Sequence, residues 1–169
     1  MALIVEDGTR KADADSLTTV EFADAYVTSI YGASHAWSGY SSTEKERRLR
    51  VGTRYVCDSY ENLFLGERVD NVQALSWPRQ NAETNEGFEI GYRDVPLDVQ
   101  RGVVEAAIIG DLSAMLPTTT TPNLKRTKRK VGPLETENEY AGSAGTQPTY
   151  LTIERALTRV LGQRRMGRS

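Results

Sequence analysis

Apolar residues recur along this chain at helical spacing in four stretches, and strict alternation is short and rare, so the pattern predicts a mainly α fold. The first stripe is Phe22, Tyr26 and Ile30 with Ala23 and Val27 beside it; it predicts a helix over about 19–30 that ends before Gly32. Thr18-Thr19-Val20-Glu21 precedes it with the form of a capping box, in which Thr18 caps the first turn and Glu21 reaches back to an orphan N–H. The same logic at Ser41-Ser42-Thr43-Glu44 starts a second helix reaching Tyr60 or Leu63, with Leu49, Val56 and Tyr60 facing the core. Gly52 inside it costs about 1 kcal/mol relative to alanine, which close approach of another helix would offset. A third helix is expected over 96–116, with Pro96 in its first turn. Its apolar positions, Val99, Val103, Ala106, Ala107, Ile109, Gly110 and Met115 together with Val104, Ile108 and Leu112, span so wide an arc that it must be covered on more than one side. Leu151, Ile153, Ala156, Leu157, Val160 and Leu161 make a last short amphipathic helix.

The intervening segments are polar. Leu3-Ile4-Val5 reads as an ordered arm or short strand, and His35, Trp37 and Tyr40 fall in a Ser/Gly-rich loop. Residues 66–95 have no helical period; Trp77 is expected to be extended because Pro78 follows it, and its indole to plug the core or a subunit seam. Beyond Pro117 and Pro122, Leu134, Thr136 and Tyr140 permit a strand or extended arm, Gly132 and Pro133 place it at an edge, and Gly142 to Gly145 form a flexible joint. The expected architecture is a small helical bundle of three longer helices plus a C-terminal helix, with an extended loop or small β element and terminal arms. Its divisions are an N-terminal arm at 1–17, a helical core at 18–116, a projecting basic segment at 117–148, and a C-terminal helix with a basic tail at 149–169.

Composition changes the picture in one respect. The chain has 169 residues, enough for one core, but only 38% are hydrophobic and the mean hydropathy is −0.49. So broad an apolar central helix in so polar a chain leads to the expectation that some greasy face is hidden by another copy or by a partner. The formal charge of −2 conceals a split: residues 1–124 carry 11 Lys/Arg against 19 Asp/Glu, residues 125–169 carry 10 against 4. Such a dipolar chain suits head-to-tail contact between copies, or contact of the basic end with nucleic acid.

Candidate chemistry is sparse. Cys57 is the lone cysteine and His35 the lone histidine, so no disulfide, zinc set or serine or cysteine triad is expected; a Cys57–His35 pair is the one arrangement available to nucleophilic chemistry. No glycine-rich phosphate cradle occurs, and neither a signal sequence nor a membrane span is expected. The reading is therefore not an enzyme, with no catalytic, cofactor or metal residues. Glu135, Glu137 and Glu139 read as a solvated acidic strand edge. Lys125, Arg126, Lys128, Arg129 and Lys130 form the feature of most weight: a basic loop that would grip phosphates, pair with the acidic body of the next copy, or simply be solvated. No aromatic residue interleaves with it, which argues against a stacking site there.

The opening Met1-Ala2-Leu3-Ile4-Val5-Glu6-Asp7-Gly8-Thr9, the run Ala74-Leu75-Ser76-Trp77-Pro78-Arg79, Val95-Pro96 with its helix, and Lys130-Val131-Gly132-Pro133-Leu134-Glu135, taken in order, resemble a tailed-bacteriophage family. Its members are labelled DnaT-like single-stranded DNA-binding proteins or head-tail connector (head completion) proteins. The resemblance implies an adaptor that forms a ring of 12 copies below the portal protein, extends the DNA channel and joins a tail or second connector protein. Such a protein would be made in the host cytoplasm and reside at the head-tail junction of the virion, without a membrane. It also implies that Trp77, Pro78, Arg79, Val131, Gly132 and Pro133 serve folding or assembly. The other reading is a nucleic-acid-binding protein acting in phage replication or packaging.

Overall fold

The computed structural model describes residues 2–116 and 150–162, and the backbone of 124–130 and 135–140. It is mainly helical with small, unclosed two-stranded sheets. The helices are α1 (Val20–Tyr31), α2 (Ser42–Tyr60), α3 (Leu97–Ile109), α4 (Leu112–Met115) and α5 (Leu151–Leu157). The chain divides into two compact units: Met1–Asp111 with Tyr150–Ser169, and Leu112–Thr149.

In the first unit, α1 is capped by Thr19 rather than Thr18. The Thr19 hydroxyl accepts the Phe22 N–H at 3.1 Å, whereas Thr18 is buried with its hydroxyl 3.3 Å from Gln100 Oε1. Packing against α3 thus takes the first threonine and leaves the cap to the second. α2 starts as expected, with Ser41 Oγ accepting the Glu44 N–H at 3.3 Å, and a 3-10 turn at Glu61–Leu63 follows its last residue.

Two glycines seat α3 between its neighbours. A Cβ on Gly52 would overlap the Val103 carbonyl oxygen and lie 2.9 Å from the Ala107 nitrogen, so α2 and α3 are in backbone contact as the sequence suggested. A Cβ on Gly102 would sit 2.7 Å from Leu157 Cδ2, so the Leu157 side chain of α5 rests on α3 at this glycine. With α1 also against it, α3 buries Val99, Val103, Val104, Ala106 and Ala107 within the chain itself. α3 is thus covered on more than one side, as its broad apolar pattern predicted, by α1, α2 and α5.

α3 is shorter than its apolar pattern. Gly110, expected inside the helix, adopts φ 65° and closes it by donating its N–H to Ala106 O, so α4 is a separate turn. Arg48 from α2 then donates to Ile108 O at 3.1 Å and Ala107 O at 3.4 Å, placing a cation on the carbonyl end of α3.

The N-terminal residues belong to this unit. Ile4 O accepts the N–H groups of Asp15 and Ser16, Glu6 N–H donates to Ser16 O, and Leu17 N–H reaches Thr53 Oγ1 on α2. After α2 come two antiparallel pairs, β1 (Glu67–Arg68) with β2 (Arg79–Gln80) and β3 (Ala82–Glu83) with β4 (Glu89–Ile90). The second unit contains α4 and one hairpin, β5 (Leu124–Lys130) antiparallel to β6 (Glu135–Tyr140). The expected basic loop is therefore a strand, paired to the strand expected at 134–140.

Candidate nucleic-acid interface

β5 carries the five predicted cations, and its partner determines what they can do. The register pairs Arg126 with Glu139, Lys128 with Glu137 and Lys130 with Glu135. By this backbone register three of the five basic positions each stand directly opposite a glutamate position. The same register sets Arg129 opposite Thr136 and Thr127 opposite Asn138. Lys125 falls at the register irregularity between Leu124 and Arg126. The two strands together hold five Lys/Arg and three Glu, so the positive charge survives at net +2.

The first unit is the opposite in sign. Residues 1–111 with 150–169 hold 16 Lys/Arg against 20 Asp/Glu, a net of −4. Most of its cations are already engaged: Lys45 on Asp24 at 2.9 Å, Arg50 on Asp15 at 2.6 Å, and Arg68 on Glu61 at 2.5 Å. The net charges of the two units are thus opposite, −4 in the first against +2 in the second.

The Trp77-Pro78-Arg79 run is structural. Trp77 is 1% exposed, its ring 5.5 Å from that of Phe64, and its peptide bond to Pro78 is cis. The Arg79 guanidinium is buried and donates to three carbonyls, Leu65 O at 2.9 Å, Gly66 O at 2.6 Å and Ser76 O at 3.2 Å. It ties the strand after Trp77 to the segment leaving α2, and burial pulls its pKa below the usual arginine value. Val131, Gly132 and Pro133 lie outside the described residues, as do the Gly142 to Gly145 joint and the basic tail.

The two residues weighed for nucleophilic chemistry are separately occupied. His35 caps the 3-10 turn Ala36–Gly39, its Nδ1 accepting the Trp37 N–H at 3.2 Å. Cys57 is buried beside Ser76, with Glu61 and Arg68 in its surroundings, and burial pushes its thiol pKa up, away from thiolate. A polar cluster missed in the sequence joins α1 to α3: Tyr26 and Tyr31 donate to the buried Glu105 carboxylate at 2.7 and 2.8 Å. Burial, followed by this carboxylate, raises both phenols, Tyr31 to about 12. Among the described residues no group of three or more His, Cys, Asp or Glu could hold a metal, and no helix is long and apolar enough to cross a membrane.

A family model described as "Putative DnaT-like ssDNA binding protein" matches residues 1–169. No curated protein and no solved structure matches the chain.

Proposed function

We propose that this chain, which belongs to the DnaT-like ssDNA binding protein family over its whole length, is a non-catalytic protein that holds single-stranded DNA by its phosphates. The observation that carries the reading is the gathering of five cations in β5, on a chain whose helical unit is net acidic. Phosphate contacts of this kind give affinity without reading sequence, and they weaken steeply with salt. Titrating the full chain against labelled single-stranded and duplex oligonucleotides at two salt concentrations tests it. Binding of the single strand at low salt that is lost at high salt is expected; no binding to the single strand at low salt overturns it.

A second reading is favoured by the separation of an acidic helical unit from a basic strand, together with large exposed apolar side chains at Ile30, Val72, Phe88, Leu97 and Leu151. Both features suit a subunit that meets other proteins through its surface. In this reading the chain is a head-to-tail connector subunit, forming a ring of 12 copies between the portal protein and a tail or second connector protein in the virion. The basic strands would then meet DNA passing through the channel. Imaging the portal vertex of the particle tests it: density for this chain below the portal supports it, and a vertex without it refutes it.

A further inference from the structure

Outside the hairpin, one place in the first unit leaves cations unused. Glu6 is 3% exposed, and its carboxylate accepts three backbone N–H groups, from Gly8 at 2.8 Å, Arg10 at 2.9 Å and Lys11 at 2.8 Å. This clamp closes a tight loop in which Gly8 has φ 93° and lies so close to the Arg93 carbonyl that a Cβ would overlap it. Within the loop Asp7 is engaged: Lys11 Nζ donates to it at 2.8 Å and the Thr9 hydroxyl at 2.5 Å, which holds its carboxyl well below the usual carboxylate range. Arg10, held at φ 66°, has no carboxylate or carbonyl partner for its guanidinium among the described residues. Neither has Arg93, which lies 5.4 Å over the ring of the exposed Tyr92. Of the other described cations of this unit, all but Arg155 have such a partner. Arg10 and Arg93 line the same open cleft of about 310 Å³.

We propose that this cleft is a second point of contact for single-stranded DNA, with Arg10 and Arg93 on one phosphodiester and Tyr92 against the neighbouring base. The inference rests on the single-strand reading above and adds a site to it. The exposed Tyr92 ring with the Arg93 guanidinium 5.4 Å over it, and Arg10 lining the same cleft as Arg93, supply the pairing of stacking surface and positive charge that the hairpin lacks. Asp7, which lines the cleft with the two arginines and is held by Lys11, and Asp94, which lines the adjoining cleft with Arg93, disfavour a dianionic ligand and leave the singly charged phosphodiester as the better match. A duplex keeps its base faces stacked, so Tyr92 selects a single strand.

The test is fluorescence anisotropy of a labelled oligothymidylate with the full chain at low salt, comparing the wild type with Arg10→Gln/Arg93→Gln, Tyr92→Ala and Arg155→Gln. The double variant is expected to lose about ten-fold in affinity or more, and Tyr92→Ala about five-fold or more. Arg155→Gln, an unpaired arginine outside the cleft, should stay within about two-fold. Thermal melts unchanged by the substitutions exclude misfolding, and Arg10→Lys/Arg93→Lys should restore part of the loss. Millimolar inorganic phosphate should not compete. Wild-type binding that the double variant and Tyr92→Ala both retain overturns the cleft and leaves the single-strand reading standing; a wild type that does not bind overturns both.

Discussion

Replacing Arg79 by lysine keeps the charge and removes the geometry, which makes it a sharp test of what the Trp77-Pro78-Arg79 run does. The guanidinium donates through Nε, Nη1 and Nη2 to three carbonyls on two segments, at 2.9, 3.2 and 2.6 Å, while only 6% exposed. A lysine ammonium is a point donor on a flexible stem and cannot span Leu65, Gly66 and Ser76 together. Hydrogen bonds to charged groups contribute about 1.5–3 kcal/mol each, and some of that returns when water enters and the cation is better solvated. Arg79→Lys should therefore cost about 2–3 kcal/mol and Arg79→Ala, which orphans all three carbonyls, about 3–5 kcal/mol. Urea melts followed by tryptophan fluorescence measure this directly, because Trp37 and Trp77 are the two tryptophans of the chain and both are buried. If Arg79→Lys melts within about 0.5 kcal/mol of the wild type, the three-carbonyl tie does not stabilise the fold and the argument is wrong.

Gly52→Ala should destabilise by about 1–2 kcal/mol in thermal melts, because the Cβ clash with Val103 O and Ala107 N outweighs the gain in helix propensity, whereas Gly39→Ala, with open space around it, should be near neutral. Glu61 is held below the usual glutamate range chiefly by its hydrogen bonds with Arg68, so its stabilisation is present at neutral pH and is lost as pH falls through the depressed folded value. Urea midpoints taken from neutral pH downward should thus fall less in Glu61→Gln than in the wild type. Converting Glu135, Glu137 and Glu139 together to glutamine leaves the five cations of β5 uncompensated. Single-strand affinity should rise, and the slope of log affinity on log salt should steepen by about 2.

The helices were legible because their signals are local. Ser41 before Glu44 placed the start of α2, and Gly52 announced the close approach of α3. The cap of α1 was misplaced by one residue because Thr18 and Thr19 are locally equivalent, and only packing against Gln100 distinguishes them. The end of α3 was missed because Gly110 interrupts an apolar pattern that continues past it to Met115. The coverage of α3 by three helices of its own chain is a sum over distant segments that no window of sequence contains. β5 is a run of Lys and Arg without apolar alternation, so its strand character comes from pairing with β6 rather than from its own pattern. Nor did the segment Glu6 to Lys11 signal a built loop: a glutamate folded back on three backbone N–H groups looks, in sequence, like any polar stretch.

The central claim is that β5 supplies the main grip on a single strand. Changing Lys125, Arg126, Lys128, Arg129 and Lys130 together to glutamine, and measuring equilibrium binding of the full chain to a labelled single-stranded oligonucleotide at low salt, tests that claim most directly. The account predicts that affinity falls by at least about ten-fold and that most of the salt dependence disappears with it. Affinity and salt slope both unchanged from the wild type would contradict it.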